Sequence, residues 1–368
     1  LNWKSLFTNF SLVLISIFIT LGILEIVFRC FMPQDLIVPM PAMADSELIY
    51  RLPANTKSYL KGTSVRWFHL ETNSLGLRDS EHELLKTPGT FRVLLLGDSM
   101  SMAEGVELTE TYIKQFEKKA NEQALTKKVE TINAAVRGYG NDQEVILFER
   151  IGMNFQPDLV MLAFFEGNDF DDNRQGSIFQ LKGGELIRTT PTEENSPKMR
   201  YYNKQIKIQN FPGYRFMVGH SHLVNFLRKK YAAYLTHRAF STQRSDQRDR
   251  PNEGQNIISE DDWNLTTQIL MRWDADCRKI KSVPLILFIP DINNIRTCKK
   301  LMTVNLRTDQ RMRDFAHANN ILFINLADTF IRDQNVESLY LPDGHLSPLG
   351  HDNTADEIIR FLRDNKIL

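Results

Sequence analysis

The chain reads as an α/β protein built on a five-stranded parallel sheet with helices on both faces, plus an N-terminal transmembrane helix. Three observations carry that reading. From residue 91 onward, five short apolar runs bounded by turn residues alternate with amphipathic helical stretches, the pattern of strand–helix–strand units. The third run, DLVMLAFF at 158–165, is apolar at nearly every position, as a parallel strand covered on both sides must be. Residues 10–28, FSLVLISIFITLGILEIVF, hold one charge, Glu25, in 19 positions. At 1.5 Å per residue that run spans roughly 28 Å, close to the hydrocarbon thickness of a bilayer.

Bulk composition bounds the function. The 368 residues are 42% hydrophobic and 24% charged, values of an ordinary globular protein with room for one large domain and additions. Lysine plus arginine number 45 and aspartate plus glutamate 45, so no charge excess points to nucleic acid, and no basic helix is interleaved with aromatics. Cys30, Cys277 and Cys298 form no CxxC, which indicates neither a metal site nor a disulfide framework; a single Cys277–Cys298 bridge stays open.

In chain order, residues 1–30 form the anchor. No small-x-small cleavage site follows the apolar run, which is also long for a signal peptide, so it reads as an uncleaved span. Arg29 before Cys30 is a poor context for lipid attachment. Lys4 and Arg29 flank the run too evenly to set its orientation. Glu25 lies near the end, where it can reach the interface or meet a membrane-protein partner. Residues 31–90 form a connector, with a strand predicted at VRWFHL (65–70) and a turn at TNSLGLRD (72–79); Arg78 reads as a surface charge or as the partner of a carboxylate below the site.

The domain over 91–368 begins with the strand Val93–Leu96, then a helix over 109–124, a strand over 128–135, a helix over 141–153 and the strand at 158–165. A polar insertion over about 170–255 interrupts the rhythm and reads as a cap, a binding region or a partly ordered loop. Within it, residues 227–240 fit an amphipathic helix, either solvated or lying on a membrane surface. Alternation resumes with a helix over 260–279, a strand over 283–289, a helix over 305–318, a strand over 321–326 and a last helix over 348–364.

The chemistry-bearing residues follow the predicted strands. Ser99, in GDS, follows the first; a hydroxyl there stands at the carboxyl edge of the sheet, where open α/β folds bind ligands. Gly138 follows the second strand and lets a substrate oxygen approach a backbone N–H. Asn168, in GND, follows the third and offers an amide donor. His345 follows the fifth, two residues after Asp343. Singly, each motif also reads as turn or capping chemistry, since Ser347-Pro348 fits an N-cap and first helical position. Together they supply a nucleophile, a base, an orienting group and oxyanion donors, the set needed for acyl transfer. His351, on the last helix, reads as surface or capping.

In that order the four windows resemble the SGNH (GDSL-type) hydrolase superfamily over roughly residues 72–366. The resemblance implies a three-layer α/β/α, flavodoxin-like sandwich. It implies Ser99 as nucleophile, His345 as base and Asp343 completing a triad. Backbone N–H groups of Ser99 and Gly138, with the Asn168 side chain, would form the oxyanion hole, and no cofactor or metal is required. Position 166 is Glu where many members have Gly, so it would narrow the pocket or contact a polar substrate. The Asp-Gly-His spacing is shorter than the common Asp-x-x-His and resembles the membrane-anchored cell-envelope branch, although Leu346 stands where that branch often has Trp. A Ser–His dyad with the imidazole held by a carbonyl is the alternative to the triad. The expected substrate is an ester or acylated glycan of the cell envelope, handled extracytoplasmically (on the periplasmic side) by hydrolysis or O-acyl transfer. A catalytically idle scaffold subunit is the competing reading.

Overall fold

A computed structural model describes residues 3–36, 38–61, 66–123, 127–248, 258–301 and 307–368, with side chains of 239–248, 301 and 307 outside the description. The chain divides into two compact units, one formed by Pro41–Asn203 with Pro251–Leu368, the other by Leu1–Met40 with Lys204–Arg250.

The first unit is built on five parallel strands: β1 (Thr90–Leu96), β2 (Lys128–Asn133), β3 (Leu159–Phe165), β4 (Val283–Ile289) and β5 (Leu322–Asn325). Their order across the sheet is β5-β4-β3-β1-β2. The chain steps from β1 to β2 on one side and then returns to lay β3 on the other side of β1. This is the flavodoxin-like order, and it opens a crevice at the carboxyl ends of β1 and β3. All seven residues of β1 are buried, and the apolar side chains of β3 and β4 form the same core. The flanking helices Tyr112–Glu122 and Pro348–Asp364 bury Ile113, Phe116, Ile358 and Leu362, which recur at helical spacing.

The connector is structured. Strands Lys57–Lys61 and Trp67–Glu71 pair as an antiparallel hairpin, whereas the sequence offered a lone strand at 65–70; Val65 lies outside the described residues. In the predicted turn, Gly76 has φ +80°, and a Cβ there would fall 2.5 Å from the Leu52 carbonyl oxygen. Arg78 is neither of the expected things. It is fully buried and donates to the carbonyls of His69, Met102, Ala103 and Val106, so that one guanidinium serves four backbone acceptors.

The insertion begins with the helix Asp169–Gly176 and the hairpin Phe179–Lys182/Glu185–Arg188, then the helix Pro197–Gln209. A helix at Ile292–Leu301, absent from the sequence reading, precedes Arg307–Ala318; the predicted start at 305 lies outside the described residues. Cys277 and Cys298 are both free and buried, so the open bridge is not formed.

In the second unit, the apolar helix Trp3–Phe31 buries none of its residues and is long enough to cross a membrane. Beside it stand the helices Tyr214–His220 and His222–Arg248. The polar tract at 249–254 lies outside the described residues.

Candidate active site

β1 ends in Gly97-Asp98-Ser99, and the chain turns at once into the short helix Ser99–Met102. Gly97 is required by packing: a Cβ would stand 2.5 Å from the Ser101 hydroxyl. The Asp98 carboxylate caps the helix by accepting from the Met100 N–H at 2.8 Å. Ala103 closes it in the left-handed region, φ +66°, and the Arg78 guanidinium ties down its carbonyl. Ser99 is therefore held at the carboxyl edge of β1 by a cap below and a cation behind, with its side chain left half-buried.

The imidazole arrives from the far end of the chain. Tyr340 and Leu346 form an antiparallel bridge, and inside it the Leu341 N–H donates to the His345 carbonyl at 2.6 Å while Gly344 turns with φ +90°. That tight loop presents His345 Nε2 to Ser99 Oγ at 2.9 Å, across 246 positions of sequence. Asp343 Oδ2 lies 3.1 Å from His345 Nδ1, and Asp343 Oδ1 accepts from the His345 backbone N–H at 3.2 Å. The Nδ1–Oδ2 contact has ion-pair distance without the alignment of a directed hydrogen bond, since Nδ1 completes no bond of hydrogen-bonding geometry. Burial alone would lower the imidazole pKa; the carboxylates of Asp343, Glu104 and Asp98 outweigh it and hold His345 above its ordinary value.

Asn168, after β3, donates Nδ2 to Asp98 Oδ2 at 3.2 Å. One amide hydrogen is thus committed to the carboxylate under Ser99, an arrangement the sequence did not foretell; burial raises the Asp98 pKa. Gly138, after β2, has φ +71°, and any Cβ there would meet the Tyr50 and Tyr202 hydroxyls at 2.9 Å. The two tyrosine rings stack with centroids 3.7 Å apart, and the Tyr50 hydroxyl donates to the Arg137 carbonyl at 2.5 Å. Arg137 Nε in turn lies 3.2 Å from Glu104.

Lys198 was missed by the sequence reading. From the helix Pro197–Gln209 its buried Nζ donates to the Gly138 carbonyl at 3.0 Å and to Gln143 Oε1 at 2.9 Å, and pairs with Asp172 at 2.9 Å. Nothing marked it among the other lysines of a polar segment. Below it, Glu144 and Asp169 share the Asn141 amide at 3.2 and 3.0 Å, and burial holds both carboxyls well above the usual range.

Both Glu166 and His351 are buried, which overturns the surface reading of His351. Glu166 is buried at the end of β3, accepts from the Asp291 N–H at 3.3 Å, and is pushed by burial up to about 7. It ties β3 to the segment after β4. His351 is not on the surface: it is 1% exposed, its Nδ1 accepts from the Tyr112 N–H at 3.1 Å, and burial lowers its pKa to about 3. It caps the helix Tyr112–Glu122, as the capping reading allowed, and the imidazole that meets Ser99 is that of His345. Among the described residues, no group of three or more His, Cys, Asp and Glu is arranged to hold a metal.

No family model matches the chain, and no curated protein matches it. Solved structures give distant likenesses. The crystal structure of TesA is 12% identical, over 74% of this chain and 98% of that one, with TM-score 0.40. The psychrotrophic esterase EstA from Pseudoalteromonas sp. is 11% identical, over 76% and 100%, with TM-score 0.39. A two-domain esterase active on acetylated mannans is 14% identical, over 76% of this chain and 50% of that one, with TM-score 0.38. At such distances function has to be read from the side chains.

Proposed function

We propose that this chain is a membrane-anchored serine esterase of SGNH type, acting on ester-linked acyl groups through an acyl-serine intermediate. The observation that carries the reading is the 2.9 Å contact between Ser99 Oγ and His345 Nε2, with Asp343 at 3.1 Å from the other ring nitrogen. In this reading His345 takes the Ser99 proton as the hydroxyl attacks the ester carbonyl, then returns it to the leaving alcohol. The oxyanion is met by backbone N–H groups of Ser99 and Gly138 and by the second amide hydrogen of Asn168. Water or an acceptor hydroxyl then releases the acyl group, and this step alone separates hydrolysis from O-acyl transfer. The substrate is an acylated (acetyl-bearing) glycan of the cell envelope, a reading that fits an apolar helix at residues 10–28 with the catalytic unit on the extracytoplasmic side.

Hydrolysis of an acetyl aryl ester by the full chain in detergent tests this. Ser99→Ala is expected to abolish turnover; undiminished hydrolysis by a folded Ser99→Ala protein would refute it. Supplying an acetylated glycan with a free-hydroxyl acceptor then tells hydrolysis from transfer by product mass.

A further inference from the structure

Glu25, the lone charge within the apolar run, has a partner inside its own chain. Its carboxylate accepts from the Ser221 hydroxyl at 2.7 Å, the His222 N–H at 3.0 Å and the Leu223 N–H at 3.0 Å, which caps the helix His222–Arg248. Arg29 closes the clasp, donating to Glu25 at 3.1 Å and to the His220 carbonyl at 2.9 Å. Phe28 meets Phe226 with ring centroids 4.8 Å apart, and the Gln34 N–H donates to His222 Nδ1 at 2.8 Å.

The clasp also fixes a level. From Lys4 to Glu25 the helix rises about 32 Å at 1.5 Å per residue, and a bilayer core is about 30 Å thick. With Lys4 at one interface, Glu25 reaches the other, and Ser221–Phe226 starts there. Just beyond lie Leu227, Tyr231 and Tyr234, spaced i, i+4, i+7 on one helical face and 55, 46 and 53% exposed. Phe211 and Phe216, before the clasp, are 63 and 68% exposed. Cations border them: Lys230 lies over the Phe226 ring, and Arg238 donates to the Tyr234 hydroxyl. Aromatic side chains edged by lysine and arginine, at the end of a spanning helix, suit the headgroup layer, where rings bury and cations meet lipid phosphates.

We infer that residues 211–238 form a membrane-surface platform, bolted by Glu25 to the spanning helix and seated in the headgroup region of a phospholipid bilayer. The inference rests on the helix Trp3–Phe31 being a retained span, and it is independent of chemistry at Ser99.

The test uses the full chain in vesicles of phosphatidylethanolamine and phosphatidylglycerol, in a Cys30→Ser background. Single spin labels are placed at Phe216→Cys, Leu227→Cys and Tyr231→Cys, with Leu85→Cys, 79% exposed in the other unit, as the solvent control. The platform labels are expected to be about three-fold or more less accessible to an aqueous nickel chelate than the control, and more accessible to oxygen. Adding Glu25→Leu is expected to return Leu227→Cys to control accessibility. Labels as accessible as the control in vesicles would overturn the inference. So would protection that persists in detergent, which would mean a second copy covers the stripe, and so would a purified chain whose intact mass lacks the apolar helix. Failure of the esterase reading would appear only as lost reactivity of Ser99, with the label readout unmoved.

Discussion

At the scale of single residues, the site is a contest over one proton. His345 acts on Ser99 only when neutral, yet neighbouring carboxylates, Asp343 foremost, hold its pKa above the ordinary 6.5. Ester turnover should therefore rise with pH through a limb above about 6.5 and be lost below it. Because Asp343 supplies the largest of the raising effects, Asp343→Asn should move that limb to lower pH as burial gains the upper hand. The same variant should lower kcat by about 10- to 100-fold, less than for a well-directed orienting bond, because the Nδ1 contact is misaligned. A pH–kcat/KM profile of both proteins checks the shift; an unmoved limb would remove Asp343 from the account.

At the scale of elements, the insertion reaches the site through one lysine. Lys198 fixes the Gly138 carbonyl and so the turn whose N–H is proposed to meet the oxyanion. Lys198→Met should lower kcat about ten-fold with KM little changed, if the turn serves the transition state rather than substrate binding. It also strands Asp172, a loss of about 3–5 kcal/mol in stability. The double variant Lys198→Met/Asp172→Asn should recover stability by urea unfolding without recovering kcat. This is also the scale at which the sequence was most readable. Val283–Ile289 and Pro348–Asp364 stand where their apolar spacing and their Ser347-Pro348 start predicted. The hairpin Phe179–Lys182/Glu185–Arg188 and the helix Ile292–Leu301 went unseen because their signals are brief: Phe179 and Leu181 alternate with polar residues over only four positions before Gly183-Gly184, and Ile292, Ile295 and Cys298 keep helical spacing over only two turns. The buried polar residues were illegible for another reason. Arg78 and His351 take partners 24 and 239 positions away, and no local signal marks such pairs.

At the scale of the whole molecule, folding buries carboxyl groups that prefer to be protonated. Glu166 and Asp142 sit at about 7 and Asp172 at about 6, all pushed up by burial. Each binds more protons folded than unfolded between the ordinary carboxylate value and its raised one, so these three groups lower stability as pH rises from about 4.5 to 7. They outnumber His351, whose lowered pKa acts the other way below about 6.5. Glu166→Gln removes one such group. It should gain on the wild type by on the order of 2 kcal/mol between pH 5 and pH 8 in urea unfolding, and parallel curves would contradict the assignment. The order of the sheet has a functional consequence as well: Ser99 and Asn168 follow the neighbouring strands β1 and β3, and the loop at 340–346 brings His345 back to that edge. The claim on which the rest depends is that this return makes one serine hydroxyl nucleophilic. Reacting the full chain with a fluorophosphonate and mapping the adduct by peptide mass tests it most directly. The adduct should form on Ser99 in the wild type and slow by about 10³-fold or more in His345→Ala. An adduct on any other residue, or equal labelling of the two proteins, would contradict it.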